Sequence, residues 1–395
     1  MQGGALRAGE TMAFEFVALI AFVIWLYLAF GHGGFWLGAE RDDFDPPALA
    51  GQPTVCVVIP ARNEAEGVGE CVGSLLRQDY GGLKSVVLVD DESTDGTADV
   101  ARRAAAARGA EERLTIVPGT PLPKGWTGKL WAMRQGIAAA MASETPPDYL
   151  LLTDADIVYQ PNVLSWLVAH AWAKHLVLAS FMVSLRCQTA AERGLIPAFI
   201  FFFQMLYPFS KVNRPADATA AAAGGCMLVR AEVLQQAGGI DAIRSALIDD
   251  CALAALLKAR GPIWLGLTSR VRSLREYPHW TDVAHMVSRT AYAQLRYSLL
   301  MLFGTVAGLT LVYLVPPAAA LFGTGLTRGF GIAAWAIMAL AFQPTLRFYR
   351  LSPWWGFALP AIAAAYLVFT VQSAIASIRG KGGLWKGRFQ AAGAK

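Results

Sequence analysis

Two kinds of apolar pattern divide the chain. Residues 12–30 are apolar except for one glutamate, and further apolar stretches occupy about residues 298–323, 329–345 and 354–378. Crossing a bilayer takes about 20 apolar residues, so three of these stretches are long enough and 329–345 is marginal. From Thr54 onward, short apolar runs alternate with helical patterns. This alternation predicts an α/β domain with a mainly parallel sheet.

The pattern divides the chain into an ordered series of segments. We predict an N-terminal segment with a membrane anchor, a charged linker, the α/β domain, a C-terminal membrane region and a basic tail, at residues 1–39, 40–53, 54–297, 298–378 and 379–395. A signal peptide is the alternative for the first apolar stretch. Its long apolar core and the lack of a small-x-small cleavage site favour an uncleaved anchor.

One apolar segment interrupts the α/β domain. Residues 195–209 are rich in phenylalanine and are broken by Pro197. The segment is short for a membrane crossing, so we predict an interfacial or re-entrant helix against lipid. A buried core helix is the alternative.

The composition points to the membrane rather than to nucleic acid. Charged residues make up 16% of the chain and the mean hydropathy is +0.41, whereas soluble proteins carry about 25% charged residues. The net charge of +5 is not gathered into one patch, and basic residues beside apolar segments favour a cytoplasmic membrane edge. The five cysteines include no C-x-x-C pair, which argues against a disulfide framework or a zinc site.

Polar clusters follow the predicted strands. They lie at residues 60–64, 90–95 and 154–156, at carboxyl ends of strands, where parallel sheets bind ligands. Asp154 and Asp156 would point the same way on an extended segment. Two carboxylates in an apolar setting need a cation between them, and oxygen ligands suit Mg²⁺ or Mn²⁺ shared with substrate phosphates. A solvated turn is the alternative.

Two later stretches add candidate residues. Gly224 and Gly225 lead from a small-residue loop into a strand, and Asp249 and Asp250 open a helix. Carboxylates favour the first turn of any helix, so a structural role is the alternative for the aspartate pair.

Taken together, these stretches resemble the family 2 glycosyltransferases over about residues 54–297. The resemblance rests on motifs in order and spacing: Val57–Glu64, Val89–Gly96, Gly128-Lys129, Asp154-Ala-Asp156, Gly224–Arg230, Gly238-Gly239 and Asp249-Asp250. The flanking apolar stretches and the tail motif Gly382–Arg388 are most like the hopene-associated, membrane-bound members, which act in hopanoid biosynthesis.

The resemblance implies a GT-A fold and an inverting transfer from a nucleoside-diphosphate sugar. A UDP-sugar is the expected donor, and a membrane lipid such as a hopanoid or polyprenoid is the expected acceptor. The implied nucleotide-sugar-binding residues are Pro60, Asn63, Glu64, Asp90, Lys129, Asp154, Gly224 and Gly225.

The resemblance also implies catalytic roles. Asp156, together with Asp154, is expected to bind Mg²⁺ or Mn²⁺ and so the diphosphate. Asp250 is expected to be the general base, and Asp249 stands where the family usually has Glu. The divalent ion at Asp154 and Asp156, helped by Lys129, would neutralise the negative charge on the leaving group. Asp250 would take the proton of the acceptor hydroxyl on the opposite face, which suits a single displacement.

Gln294-Leu-Arg296-Tyr297 resembles a shortened form of a motif in processive polysaccharide synthases, with Tyr in place of Trp. A processive polysaccharide synthase is therefore an alternative function. The candidates for acceptor binding or gating are Gln294 and Arg296 from this motif and Trp385 and Arg388 from the tail.

Two further alternatives are less well supported by the residues. A sugar nucleotidyltransferase would need a Gly-rich loop after the first strand, where Pro60-Ala-Arg-Asn-Glu64 stands instead. An inactive membrane scaffold does not explain why Lys129, Asp154, Asp156 and Asp250 occur together.

We predict the orientation of the protein in the membrane from the compartment in which its donor is found. Nucleotide sugars are cytosolic, so we expect a multi-pass protein of a bacterial-type inner membrane with its catalytic domain in the cytoplasm. Three C-terminal crossings would then place the basic tail outside, against the positive-inside rule. Either one C-terminal segment is re-entrant or the tail departs from the rule, and we expect the first.

Overall fold

The computed structural model describes residues 2–46, 48–49, 51–380, 384–385 and 388–389. The chain forms two compact units. An α/β unit consists mainly of Glu40–Arg186 and Lys211–Glu276, and a helical unit consists of Met1–Ala39, Cys187–Ser210 and Tyr277–Gly380.

The α/β unit is built on one mixed sheet. Its strands are β1 (Val55–Ala61), β2 (Leu83–Asp90), β3 (Leu114–Pro118), β4 (Tyr149–Leu152), β5 (Ile157–Tyr159), β6 (Leu178–Ser184), β7 (Met227–Arg230) and β8 (Ile263–Ser273). The spatial order is β3-β2-β1-β4-β7-β6-β8-β5. Every residue of β1 and β4 is buried, which confirms the prediction that these apolar runs are interior strands.

Strand direction brings distant parts of the chain to one edge of this sheet. Strands β1 to β4 are parallel neighbours, so their carboxyl ends lie together. Strand β7 runs antiparallel to β4, which places its amino end, after Gly224 and Gly225, at that same edge. Strand β6 is antiparallel to β7 and parallel to β8, so β8 also ends there.

Helices cover the sheet. Within the described residues of the α/β unit, the helices are α2 (Val68–Leu75), α3 (Thr97–Ala106), α4 (Gly128–Met141), α5 (Val163–Ala173), α8 (Ala231–Gln236) and α9 (Asp249–Lys258). The short helix α7 (Phe209–Val212) contains the residue at which the chain passes from one unit to the other. Two 3₁₀ turns lie at Glu111–Arg113 and Ile240–Ile243.

The first part of the predicted linker is held against the α/β unit. The Arg270 guanidinium donates to the Asp42 carboxylate at 2.8 Å, the Trp166 indole N–H donates to the Phe44 carbonyl at 2.8 Å, and the Leu267 N–H donates to the Glu40 carbonyl at 2.9 Å. Residues 40–44 of the predicted linker are therefore tied to the α/β unit by contacts between residues far apart in the chain, and the bounds of the linker stay a prediction.

The helical unit contains the apolar stretches. Its elements are α1 (Gln2–Leu26), a π-helical turn (Tyr27–Gly31), a 3₁₀ turn (Phe35–Leu37), α6 (Ala190–Leu206), α10 (Trp280–Ser288), α11 (Ala291–Gln294), α12 (Leu299–Leu309), a π-helical turn (Thr310–Leu314), α13 (Val315–Phe322), α14 (Gly325–Ala341), α15 (Gln343–Phe348) and α16 (Trp355–Ile378).

Four helical segments of the described chain are long and apolar enough to cross a membrane. They are Met12–Gly31, Leu299–Phe322, Gly325–Phe348 and Trp355–Ile378. The third segment is longer than the apolar stretch 329–345 identified in the sequence. The helices extend past that stretch at both ends and include the charged residues Arg328 and Arg347.

Two buried aromatic side chains of this unit hydrogen-bond to backbone carbonyls. The Trp25 indole N–H donates to the Val312 carbonyl at 2.7 Å; Val312 lies in a π-helical turn, where the usual backbone ladder is interrupted. The Tyr366 hydroxyl donates to the Leu195 carbonyl at 2.9 Å. An apolar interior gives such groups no water, so each needs a protein partner.

The segment 195–209 is mostly buried inside the helical unit. Leu195, Ile196 and Phe201 on α6 are inaccessible to solvent, and a methyl group on Gly194 would come within 2.6 Å of the Trp280 ring. The structure therefore favours the buried-helix alternative over an interfacial helix against lipid. Its apolar residues pack against other helices of the protein, and the periodicity of the sequence does not show which ones.

Candidate active site

Asp154 and Asp156 lie in the turn between β4 and β5, at the carboxyl edge of the sheet. The sequence placed them on one extended segment facing one cation. The turn instead gives each carboxylate its own basic partner, Lys129 for Asp154 and Arg275 for Asp156. The two aspartates lie at the predicted edge, and binding of one divalent ion by both stays a prediction.

Lys129 is fixed by the start of α4. The Thr127 hydroxyl caps this helix by accepting from the Leu130 N–H at 3.4 Å. The Lys129 ammonium then lies 2.8 Å from Asp154 Oδ1 and 3.1 Å from Asp249 Oδ2. Burial acts to lower the pKa of Lys129, but the carboxylates of Asp154 and Asp249 outweigh it and raise the pKa above its ordinary value. Lys129 is therefore a permanent positive charge at this edge.

Asp250 lies beside this charge at the start of α9. Its Oδ2 accepts the Gly224 N–H at 3.0 Å and its Oδ1 accepts the Cys251 N–H at 2.7 Å. Burial, and then the neighbouring carboxylate of Asp249, raise the pKa of Asp250 to about 6. A carboxylate with a pKa in this range can accept a proton near neutral pH.

Gly224 fills a narrow gap at this point. A methyl group there would lie 3.1 Å from Lys129 Nζ and 3.5 Å from Asp250 Oδ2. Glycine therefore lets the backbone approach both charged groups closely, and a methyl group there would require a small shift of the Lys129 ammonium. The carbonyl of Gly225 accepts from the hydroxyls of Thr153 at 2.8 Å and Tyr159 at 3.0 Å, two supporting residues that the sequence analysis did not identify.

A second cation lies at the other side of the turn. Arg275 Nε donates to Asp156 Oδ2 at 3.0 Å and its Nη2 donates to Glu64 Oε1 at 2.9 Å. The Ser273 hydroxyl donates to the same oxygen of Asp156 at 3.1 Å. Neither donor residue was predicted, because strand β8, which ends at Ser273 two residues before Arg275, was not recognised from the sequence. Its apolar run Ile263–Leu267 is the signal that could have revealed it.

The loops after β1 and β2 are tied together. Asn63 Oδ1 accepts the Thr94 N–H at 2.8 Å, the Ser93 hydroxyl accepts the Asn63 N–H at 3.0 Å, and Asp90 Oδ1 accepts the Ser93 N–H at 3.1 Å. Asn63 adopts a positive φ of 50°, a conformation that Asn tolerates better than most residues. Pro60 is buried within β1. Of the predicted nucleoside-binding residues, Asn63 and Asp90 are thus joined through Ser93.

The acidic residues suit a divalent ion that is shared with a substrate. Among the residues that the structure describes, no group of three or more His, Cys, Asp or Glu side chains could hold a metal ion. Lys129 contacts Oδ1 of Asp154 and Arg275 contacts Oδ2 of Asp156, so each carboxylate has a second oxygen to offer. Mg²⁺ is commonly held by one or two carboxylates together with substrate phosphates and water, and these two aspartates fit that pattern.

Four further candidates come from the part of the chain after α10. Gln294 is at the end of α11 in the helical unit, where its side-chain amide donates to the Tyr207 hydroxyl at 2.6 Å. Arg296 follows with a positive φ of 51°. Trp385 and Arg388 are paired in a short antiparallel ribbon, and their side chains lie outside the described part of the chain. Acceptor or gating roles for these residues stay predictions.

The sequence was also compared with protein families. A family model described as "Glycosyltransferase like family 2" matches residues 53–276, which include the site residues of the α/β unit.

Two curated relatives are N-acetylglucosaminyltransferases. The protein from Rhizobium leguminosarum bv. viciae is 37% identical over 114 residues, 29% of this chain and 24% of the relative. The protein from Mesorhizobium japonicum is 33% identical over 122 residues, 31% of this chain and 26% of the relative. The chain therefore spans about a quarter of the length of these relatives.

Among solved structures, a mannosyltransferase from Pyrobaculum calidifontis in complex with GDP-Man and Mn²⁺ is similar over 92% of this chain and 99% of its own, with a TM-score of 0.56 and 18% identity. This similarity extends beyond the α/β unit and establishes a shared fold.

Proposed function

Since the chain belongs to the glycosyltransferase-like family 2 and has the GT-A fold, we propose that it transfers a sugar from a nucleoside diphosphate to a membrane lipid with inversion of the anomeric centre. The observation that carries this proposal is the grouping of Lys129, Asp154, Asp249 and Asp250 at the carboxyl edge of the sheet. The family match also favours sugar transfer over the nucleotidyltransferase alternative.

The basic groups of the site match the charge that develops on the leaving group. Breaking the bond between sugar and diphosphate builds negative charge on the phosphate oxygens. Lys129 is buried and fixed by two carboxylates, so it can stabilise that charge without reorganisation. A divalent ion held by Asp154 and Asp156 would supply further Lewis-acid stabilisation of the diphosphate.

Asp250 is the proposed general base. Its two backbone hydrogen bonds, from Gly224 and Cys251, fix the carboxylate, and its raised pKa suits removal of a proton from an acceptor hydroxyl. Activation of the acceptor by one carboxylate requires no covalent enzyme intermediate, so a single displacement with inversion is the simplest course.

The nature of the donor is proposed from the relatives. Those relatives are called N-acetylglucosaminyltransferases, and the similar solved structure holds GDP-Man and Mn²⁺. UDP-N-acetylglucosamine is therefore the first donor to test, with GDP-mannose beside it, and Mg²⁺ or Mn²⁺ as the proposed metal.

The acceptor is proposed from the membrane helices. Four helical segments of the described chain can cross a bilayer by length and composition, which supports a lipid acceptor met at a membrane. A hopanoid or polyprenoid acceptor, an inner-membrane location and a cytoplasmic catalytic unit follow from the sequence resemblance. A re-entrant C-terminal segment belongs to the same proposal, and labelling of single cysteines placed after each helix would test it.

The deciding experiment uses the full chain in detergent or lipid nanodiscs. We expect release of nucleoside diphosphate from one donor of the panel, dependent on Mg²⁺ or Mn²⁺ and on added bacterial lipid extract. The anomeric configuration of the lipid product, read by NMR, should be opposite to that of the donor. Metal-independent turnover, or retention of configuration, would contradict the proposal.

Comparison of membrane lipids with and without the gene would identify the acceptor. A single glycosylated lipid supports the proposal. A polymer that lengthens with time would instead support the processive polysaccharide synthase that the motif at Gln294–Tyr297 suggests.

A further inference from the structure

Arg275 joins two carboxylates that the site uses for different purposes. Its guanidinium donates from Nε to Asp156 at 3.0 Å and from Nη2 to Glu64 at 2.9 Å. Asp156 is the proposed metal ligand and Glu64 borders the proposed nucleoside site. The Asp156 and Glu64 side chains are only 12% and 15% exposed, whereas Arg275 is 39% exposed. The guanidinium is thus the more accessible side of both ion pairs.

The backbone holds Arg275 at this position. The Leu274 N–H donates to the Asp156 carbonyl at 2.8 Å, and the Arg275 N–H donates to the Ser273 hydroxyl at 3.2 Å. The Ser273 hydroxyl itself donates to Asp156 Oδ2. The end of β8 and the turn of Asp156 therefore form one hydrogen-bonded unit, and the contact does not depend on a long side chain alone.

This arrangement affects the binding of a divalent ion. A metal at Asp156 would meet a guanidinium already paired with the same carboxylate, and like charges a few ångströms apart repel in a half-buried site. A nucleoside diphosphate brings negative charge that compensates both cations. A guanidinium has five donors in a planar fork that suits phosphate oxygens as well as carboxylates.

We infer that Arg275 is a positioning residue that neutralises Asp156 and Glu64 until the donor binds, and thereby makes binding of the divalent ion depend on the nucleoside diphosphate. The inference rests on the proposed function and adds the dependence of one ligand on the other. The divalent ion binds weakly to the free protein and tightly once the nucleotide is bound. By linkage, the nucleotide must gain affinity from the ion by the same factor.

The test is Mn²⁺ binding, read by the loss of the free-ion EPR signal, on the full chain in detergent with and without UDP or GDP. The variants are Arg275→Gln, which removes the charge, and Arg275→Lys, which keeps it. Arg272→Gln is the matched control, because Arg272 lies near the end of β8, three residues before Arg275, and pairs with the exposed Glu70 at 3.0 Å.

Without nucleotide, Arg275→Gln should bind Mn²⁺ about tenfold more tightly than the wild type, because the variant lacks the positive charge beside Asp156 that repels the ion. The factor by which UDP or GDP improves Mn²⁺ affinity should fall about tenfold in the same variant. Arg272→Gln should behave as the wild type. Arg275→Lys keeps the positive charge but not the planar fork, so its Mn²⁺ affinity should lie closer to that of the wild type than to that of Arg275→Gln. A purely structural role for Arg275 could weaken Mn²⁺ binding but could not strengthen it.

Unchanged or weaker Mn²⁺ binding by Arg275→Gln, with normal binding by Arg272→Gln, would overturn this inference and leave the proposed function intact. A wild-type chain that binds no Mn²⁺ even with UDP or GDP would overturn the metal-assisted function and this inference with it.

Discussion

The Lys129 ammonium lies 2.8 Å from a carboxylate oxygen of Asp154, so the proposed metal ligand and the proposed nucleotide-binding lysine form an ion pair. The same ammonium lies 3.1 Å from Asp249. Asp249 Oδ2 is buried and receives no hydrogen bond from the described residues, which leaves the lysine charge as its compensation. Lys129 therefore supports the geometry of both acidic segments.

Replacement of Lys129 by Met should lower both stability and transfer. Breaking a fully buried ion pair costs about 3–5 kcal/mol and an exposed pair contributes about 0–1 kcal/mol. Because 37% of the Asp154 side chain is exposed, we expect a loss of about 2 kcal/mol in the free energy of unfolding. Transfer should fall about 100-fold or more, since a charge facing the leaving group is lost.

Thermal unfolding in detergent and donor turnover measure these two effects. Lys124→Met is the control, because Lys124 is exposed in the loop before α4 and should leave both unchanged. Normal turnover by Lys129→Met would exclude a role for this charge in the reaction.

Replacement of Asp250 by Asn should separate binding from catalysis. The amide has the same shape and its oxygen can still accept the Gly224 N–H, but it cannot take a proton. Loss of a general base lowers rates by about 10²–10⁴-fold, so transfer should fall by that factor while UDP affinity changes little. Asp241→Asn, at an exposed residue paired with Arg134, is the control. A collapse of UDP affinity in Asp250→Asn would assign Asp250 to nucleotide binding instead.

The pH dependence of transfer should report the same carboxylate. The pKa of Asp250 is raised to about 6, so the protonated form, which cannot accept a proton, predominates below that pH. We expect kcat/KM to fall about tenfold per pH unit below that value and to level off above it, because kcat/KM reports groups of the free enzyme. A pH series from a mildly acidic to a neutral buffer measures this. The acidic limb should be absent from the residual activity of Asp250→Asn.

Gly224→Ala should disturb the site without removing a charge. Its methyl group would press against Lys129 Nζ at 3.1 Å and displace the ammonium from Asp154 and Asp249. Misplacement of a catalytic group by about 1 Å can cost about 100-fold in rate, and for this smaller shift we expect about tenfold. Gly304→Ala is the control, since a methyl group there meets nothing within 4 Å. Full activity of Gly224→Ala would show that the gap tolerates a side chain.

Glu192→Ala should destabilise the helical unit. The buried Glu192 carboxylate accepts the N–H groups of Gln188 at 2.7 Å, Thr189 at 2.9 Å and Tyr277 at 2.9 Å. A fully buried N–H left without an acceptor costs about 1–3 kcal/mol. Because Gln188 is exposed and Thr189 and Tyr277 are half-buried, water replaces part of the lost bonding, and the unfolding free energy should fall by about 2 kcal/mol. The midpoint of thermal unfolding in detergent measures the change. Glu232→Ala, at an exposed glutamate in the first turn of α8, should shift it little.

Local patterns were sufficient for part of the site. The runs that became β1, β2 and β4 are continuous and apolar, as buried parallel strands must be, and the polar residues after them were placed at the ligand-binding edge. Thr189 and Glu192 also carry a capping-box signature, which marks the start of α6 although it does not reveal the contact of Glu192 with Tyr277.

Other features depend on pairs of residues far apart in the chain. Arg275 is 119 residues from Asp156, and Asp42 is 228 residues from Arg270. No periodicity records such a pairing, because it follows from the order and direction of strands in the sheet.

The sequence by itself determined the alternation of strands and helices, the membrane-length helices and the acidic residues of the active site. These features arise from hydrophobic burial and backbone hydrogen bonding, which leave a local and repeating record. Only the tertiary structure decided that Lys129 pairs with Asp154 and Asp249, that Arg275 pairs with Asp156, and that α6 is buried among helices. Charged side chains and apolar helix faces contact residues that are distant in the sequence. The order and direction of strands and helices, rather than spacing along the chain, determine which residues these are.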